Sequence, residues 1–392
     1  MSVSPASIEI EKTSQIEPYR TMRGPTEGVL GVVHLPDERH IITCFWDGSL
    51  RLWDRESGAQ IENDWRDDGD QAGVLIIALS PNGKTVVSGS MDGIVRLWDI
   101  GTRKVTAKWT GHTEGVWSVC WGANGGRVAS GSDDGTVRVW EVGSGETAVG
   151  LIKTGHQEVD AVAYSPDALN IATGGSKDRE IRIWDAGTGE LLSTVDQVSY
   201  VRRLAWTSDQ KKLIIAGGNH GSIMILNTTT WEQVAILDHG KKRTVNVISL
   251  FQNGRLLASG SLDKTVRLWN LDTNLPVGLP LQHEDYICGA AFSVDGIFLF
   301  TTCDDNNGYV WDTHTMLKNA GLEDLLSVPI VSVCIASPYV LSLKCRELDS
   351  NRMYACLLAV SSRSLMETLT RRLQMIMTML DVSPTSQLFY YL

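Results

Sequence analysis

Apolar and polar residues alternate in short runs along most of this chain, each run ended by a turn bearing Gly, Asn or Asp, as in VASGSDDGTVRVW from Val128 to Trp140. A period of two predicts strands, and the NG, DG and GG steps predict tight turns between them. The pattern also repeats at long range. Seven times an Asp or its stand-in lies six residues before a Trp or its stand-in, ending at Trp53, Trp98, Trp140, Trp184, Leu226, Trp269 and Trp311, 42 to 45 residues apart. Such a period marks stacked repeats, each a small antiparallel sheet that cannot bury both faces alone.

The repeat endings are RLWD at Arg51 to Asp54, RLWD at Arg96 to Asp99, RVWE at Arg138 to Glu141, IWD at Ile183 to Asp185, RLWN at Arg267 to Asn270 and VWD at Val310 to Asp312. In these endings the chain resembles the WD-repeat β-propellers over about residues 15 to 315. The resemblance implies an all-β fold, a seven-bladed propeller of four-stranded antiparallel blades. Residues 1–14 are expected to be a mobile arm, and 316–392 a partly helical C-terminal extension. Because the repeat is offset from the blade in this family, Glu17 to Arg23 is expected to supply the outer strand of the last blade and close the ring.

The same resemblance implies a buried tetrad in each blade, a hydrogen-bonded chain of Trp, Ser or Thr, His and Asp. It falls on His112, Ser130, Asp134 and Trp140 in the third repeat and on His283, Thr301, Asp305 and Trp311 in the seventh. The fourth offers His156, Thr173, Asp178 and Trp184 with one extra Gly, and the sixth His239, Ser259, Asp263 and Trp269 with a longer loop. The first and second keep Thr43, Asp47 and Trp53, and Ser88, Asp92 and Trp98, but place Pro25 and Asp70 where the His belongs, so their networks are expected to be incomplete or completed by water. The fifth has Ala216, His220 and Leu226 in the Ser, Asp and Trp places. It is expected to be held by apolar packing and to be the least stable blade.

Ser, His and Asp in reach of one another also describe a hydrolase triad. Several copies, each with a Trp donor, favour the structural reading. NGKT at Asn82 to Thr85 lacks the earlier Gly of a phosphate loop, since Ala78 stands there. His34, His40, His220 and His314 are scattered without ligand spacing, so neither a metal nor a cofactor is expected. Arg51, Arg96, Arg138, Arg182 and Arg267 share one place in the repeat, which suggests a structural role at blade surfaces over a nucleic-acid stripe. The chain has 13 Trp, 6 Phe and a net charge of −11, which predicts no general attraction to nucleic acid or acidic membranes. Its seven cysteines include no CxxC pair and the N-terminus has no basic-then-apolar leader, so reduced thiols and a cytoplasmic or nuclear location are expected.

In proteins of this kind the top face near the channel commonly binds partners, through the start of each innermost strand and the residue before the tetrad Asp. Here those places hold Leu30 and Trp46, Leu75 and Met91, Trp117 and Asp133, Asp160 and Lys177, Arg202 and Asn219, Asn246 and Leu262, and Tyr286 or Cys288 with Asp304. Leu262, Tyr286, Leu30, Trp46, Leu75, Met91 and Trp117 can form an apolar arc opposite a polar one of Asp160, Lys177, Arg202 and Asn219, the alternative being that several of them line the channel or pack under loops. Trp46 and Trp117 are the strongest anchors, since neither is a tetrad residue.

The resemblance implies a non-enzymatic scaffold or adaptor for protein or peptide partners, with no small-molecule substrate. Ligase receptors of the family often carry Arg two residues after the WD Asp, where this chain has Glu56, Gly101, Gly187 or His314. Alternatives are an RNA-binding subunit using Arg202, Lys177 and the strand arginines, and a propeller enzyme, for which Asp133, Asp160 and Asp304 are too dispersed. Beyond the repeats, Thr313 to Ser327 can form a short helix and Arg363 to Leu380 an amphipathic one, while Val328 to Leu343 is apolar but broken by Pro329 and Pro338 and short for a membrane span. This end can pack on the propeller, bind another protein or lie outside the mature product.

Overall fold

A computed structural model of the chain describes residues 16–24, 28–67, 72–175, 177, 179–196, 200–218, 221–240 and 243–327. The arm before Ile16, the apolar stretch from Val328 and the amphipathic segment Arg363 to Leu380 lie outside them, as do Pro25, Asp70, Asp178, Asn219 and His220.

Seven antiparallel sheets stand in a ring. The innermost strands are Val29–His34, Val74–Leu79, Val116–Trp121, Ala161–Tyr164, Val201–Trp206, Val245–Leu250 and Ile287–Phe292. Each packs on the next, and the seventh packs on the first. The core is therefore a set of wedges between blades, such as Leu50, Leu52 and Trp65 of the first blade against Val74, Ile77 and Trp98 of the second. Six sheets have four strands and the first has three. Its missing edge is the segment carrying IENDWRDD, where charge replaces alternation. Isolated bridges, Leu50↔Trp65 and Trp53↔Gln60, and single bonds such as Ile61 N–H to Leu52 O at 2.8 Å hold that segment to the sheet in place of a ladder.

The ring closes as the offset predicts. Arg20–Arg23 pairs with Asn307–Asp312 in the register Arg20↔Val310 to Arg23↔Asn307, and Met22 is buried. After that strand the chain turns into a helix, Thr313–Asn319, whose first turn is capped by Asp312 through the Thr315 N–H at 2.8 Å. Leu317 and Leu325 join the wedge of the sixth and seventh blades. Asn253 Nδ2 then holds the carbonyls of Leu325 and Ser327 at 2.6 and 3.1 Å. No helix of the described residues is long and apolar enough to cross a membrane.

Close approach of blades constrains composition at one place. A Cβ on Gly131 would stand 2.5 Å from Val162 and 2.6 Å from Val159 of the next blade, and one on Gly260 would stand 2.4 Å from Ile287. Glycine lets the neighbour in at those two positions, whereas the same place holds Cys44, Ala216 and Thr302 in the first, fifth and seventh blades.

The tetrads differ from repeat to repeat. In the third, Trp140 Nε1 donates to Ser130 Oγ at 2.8 Å, His112 Nε2 meets the same oxygen at 2.8 Å, and His112 Nδ1 lies 3.0 Å from Asp134. In the fourth, Trp184 and His156 reach Thr173 Oγ1 at 2.9 and 3.1 Å, and Asp178 falls outside the described residues. In the sixth, Trp269 donates to Ser259 at 2.8 Å, but His239 Nε2 turns to the Ser259 carbonyl at 3.2 Å and its Nδ1 lies 3.5 Å from Asp263. The seventh corrects the expectation of a full chain. Trp311 and His283 reach Thr301 Oγ1 at 2.9 and 2.7 Å, yet His283 Nδ1 turns to the Leu281 carbonyl and Asp305 accepts from the Tyr309 hydroxyl. Tyr309 stands where five repeats have Arg, and its phenol takes the carboxylate.

The first two repeats are also corrected. Where the His is lost, arginine satisfies the Asp: Asp47 accepts from Arg51 at 2.9 Å and Arg66 at 2.6 Å, and Asp92 accepts two bonds from Arg96 at 3.1 and 2.6 Å. Arg51 and Arg96 are buried ion-pair partners, so they are structural but do not lie at blade surfaces. In the fifth repeat the Ser/Thr place belongs to Ile215, paired with Met224, because the following turn is one residue longer than the spacing suggests. Ala216 takes the place of Gly131. Ile215 and Leu226 are buried, and apolar contact replaces the polar chain.

Two buried histidines set an acid limit on the fold. His34 and His283 are each lowered to about 4, chiefly by burial, with Arg55 adding at His34. A histidine whose folded pKa lies below its unfolded value near 6.5 leaves the unfolded chain binding more protons. Stability is then complete above about pH 6.5 and is lost as pH falls toward 4, on the order of 3 kcal/mol for each group. Asp54 and Asp134 are held well below the carboxylate range, the first mainly by hydrogen bonds from Ser57 and Arg39 and the second by bonds from His112 and Thr136 that outweigh burial. Their contribution is lost only at still lower pH. Urea midpoints measured between pH 7 and 4.5 should fall, and His34→Leu should flatten the slope. An unchanged slope in that variant would remove His34 from the account.

Candidate partner-binding face

At its start every innermost strand but the fourth carries a β-bulge. Leu30, Leu75, Trp117, Arg202, Asn246 and Cys288 are the extra residues, each skipped in the pairing with the second strand. Asp160 takes the same place in the fourth blade, its N–H bonding Gly174 O at 3.1 Å. A bulge re-aims one side chain out of the strand's alternation. Six of the seven expected inner-strand positions are thus placed by one backbone device. In the seventh blade the bulged residue is Cys288, and Tyr286 stands two residues earlier in the loop.

The apolar arc divides by exposure. Trp46, Met91 and Tyr286 are 41, 46 and 39% exposed. Leu30, Trp117 and Leu262 are half-buried. Leu75 is corrected: at 3% exposed it is buried beside Gly115 of the next blade and offers no anchor.

The exposed members are neighbours because of small residues beneath them. A Cβ on Gly28 would meet the Trp46 ring at 2.9 Å and Asp304 at 3.9 Å, and one on Gly73 would meet that ring at 2.9 Å from the other side. Trp46 therefore lies across the seam of the first and second blades. Met91 N–H bonds Gly73 O at 2.9 Å, and Asp304 N–H bonds Tyr286 O at 2.8 Å, which brings Tyr286, Trp46 and Met91 into one run. Trp117 sits beyond Gly115, half-buried, its Nε1 fixed on Asp133 Oδ2 at 2.7 Å. The Gly-Val step at 28, 73 and 115 is the sequence signal of this seat.

The polar side closes on itself. Arg202 Nη1 pairs with Asp160 at 2.6 Å, and Lys177 pairs with Glu158. Asn246 Nδ2 is spent on the Ile287 carbonyl at 3.0 Å, and Tyr200 Oη on Thr244 Oγ1 at 2.7 Å. Burial raises the Asp133 carboxyl above its usual range, and Glu158, Asp160 and Glu114 add to the effect against the Trp117 bond. Burial likewise pushes the Cys288 thiol up to about 12, which makes it an inert wall residue. Among the described residues no group of three or more His, Cys, Asp or Glu side chains is disposed to hold a metal ion.

This arrangement separates the RNA alternative from the scaffold. Arg202 and Lys177 are ion-paired, and Arg51 and Arg96 are buried, so four of the cations that reading uses are engaged within the fold. Exposed beside these engaged cations are the aromatic and Met side chains, the composition of an interface anchor.

A model of the WD domain, G-beta repeat, matches residues 16–54, 66–99, 103–141, 150–185, 231–270 and 277–312, more than half of the chain. It passes over most of the fifth blade, where the tetrad is lost. Among curated proteins the chain is similar to apoptotic protease-activating factor 1 of Mus musculus, 27% identical over 31% of this chain and 10% of that protein. It is similar to guanine nucleotide-binding protein subunit beta-1 of Nicotiana tabacum, 26% identical over 29% of this chain and 31% of that one. With Polycomb group protein FIE1 of Oryza sativa subsp. japonica it shares 31% identity over 26% of this chain and 23% of that protein. The matches span a third or less of each relative.

Proposed function

The chain belongs to the WD domain, G-beta repeat family, and on that premise we propose that it is a scaffold that seats protein or peptide partners on the face carrying Trp46, Met91 and Tyr286. The observation that carries this reading is the exposed run of those three side chains on a ring otherwise closed by internal ion pairs. A rigid disc lends itself to positioning, because its loops are held by seven packed wedges and lose little freedom on binding. Its work is to hold partners in place, without chemistry of its own. Relatives named as a G-protein subunit and a Polycomb group protein are in keeping with membership of an assembly. A reducing compartment, cytosol or nucleus, suits the free thiols Cys44, Cys120, Cys288 and Cys303.

The test is an affinity pull-down with quantitative mass spectrometry, comparing the full chain with its Trp46→Ala/Trp117→Ala variant. Partners of the wild type are expected to fall on the order of tenfold or more in the variant, since aromatic anchors dominate such interfaces. Thermal midpoints of the two should agree within a few degrees. Partners retained undiminished by a folded double variant would overturn the face.

A further inference from the structure

The fifth blade carries an arginine at a position where no other blade has a charge. Arg203 follows the bulge, and its counterparts are Gly31, Ile76, Ser118, Ala161, Val247 and Gly289. Side chains there face the seam with the following blade, as Ser118 shows by bonding the Val162 backbone. Arg203 is too long to end in that seam. The charges and thiols that act on it are Arg202, Asp160 of the fourth blade and Cys288 of the seventh. These groups stand on blades to either side of its own, one of them two blades away, which sets the buried guanidinium on the channel side of the ring, beside the bulged residue Arg202.

That guanidinium is poorly met. Among the described residues its one hydrogen bond is from Nη1 to the carbonyl of Arg202 at 2.9 Å, and it has no carboxylate partner. The neighbouring Arg202 spends Nη1 on Asp160, while its buried Nε–H has no acceptor. Burial and the Arg202 charge lower Arg203 only to about 10, so it stays protonated at neutral pH. A planar five-donor fork with one carbonyl for company is a cation waiting for an oxyanion.

Resting on the reading of this face as the partner seat, we infer that Arg203, with the spare Nε–H of Arg202, receives a single carboxylate, the Asp or Glu side chain of a peptide segment laid over the aromatic run. Charge decides between carboxylate and phosphate. Arg202 and Arg203 supply two positive charges and Asp160 removes one, leaving a match for a monoanion. The rim carboxylates Asp133 and Asp304 repel a dianion more strongly than a monoanion. The bidentate geometry of guanidinium and carboxylate gives the register of the peptide, and the aromatic run gives the contact area.

The experiment uses the full chain immobilised against three pools of capped pentapeptides, random at the outer positions and carrying Glu, Gln or phosphoserine at the centre. Wild type should retain the Glu pool on the order of tenfold over the Gln pool at low salt, and the ratio should shrink with added salt. Arg203→Gln should bring it to about one with an unchanged thermal midpoint. Arg203→Lys, which keeps the charge and loses the fork, should fall between and stands in if the Gln variant does not fold. Equal retention of Glu and Gln by wild type, whether high or absent, overturns the inference, as does a stronger hold on phosphoserine or a preference that survives Arg203→Gln. Failure here with partners still lost from the Trp46/Trp117 variant leaves the face standing, whereas partners kept by that variant remove the face itself.

Discussion

Trp140→Ala is expected to lower the unfolding free energy by about 3–5 kcal/mol, against about 1 kcal/mol or less for Trp117→Ala. The two indoles sit in one blade and differ in what surrounds them. Trp140 is 2% exposed, stacks on Trp109 at 5.6 Å and holds the Ser130 hydroxyl, which in turn positions His112. Its loss opens a cavity between the second and third blades and leaves the buried Ser130 hydroxyl, which positions His112, with one partner fewer. Trp117 sits at the rim, and its one polar tie is to a carboxylate that water can reach. Urea unfolding followed by far-ultraviolet circular dichroism and by tryptophan fluorescence measures both variants. Equal losses would put Trp117 in the core and take it out of the binding face.

Much of this architecture was legible because the repeat averages its own noise. Six Asp-to-Trp spacings in register carry the blade count, and the offset of the repeat carries the closing strand at Arg20–Arg23. Pattern failed where a neighbour's identity decides a side chain's partner. Asp305 was expected to meet His283, but Tyr309, four residues on, reaches it first. The networks of Asp47 and Asp92 were expected to be incomplete or completed by water, but Arg51 and Arg96, each four residues on, bond the carboxylates. In the fifth blade a single added turn residue moved the Ser/Thr place from Ala216 to Ile215, because a slip of one changes which face a side chain meets.

The candidate face was half legible for a related reason. Exposure at Trp46 and Met91 follows from their place before the tetrad Asp. The burial of Leu75 does not, since it depends on how far the next blade leans over it. Arg203 was not singled out at all: in sequence it is one of two adjacent arginines. Only the bulge at Arg202 shows that the first turns to Asp160 and the second toward the axis.

Removing residues 1–23 should cost about 2–5 kcal/mol and turn a closed ring into an associating one. Met22 is the buried member of the closing strand, set against Gly308, where a Cβ would stand 2.9 Å from the Met22 methyl. Losing that side chain alone carries the quoted range for a core Met. Losing the strand adds a second effect of a different kind. Asn307–Asp312 would then present an unpaired edge, and the apolar wedge around Phe300 and Val310 would open beside it. Met22→Ala in the full chain separates the two, because it empties the wedge but keeps the ladder. The expected result is a lowered thermal midpoint in both variants, with concentration-dependent association in size-exclusion chromatography for the truncated chain alone. A truncated chain that stays monomeric and melts with the wild type would show that the ring holds without its closing strand. An associating Met22→Ala would show that the side chain, and not the backbone edge, keeps copies of the protein apart.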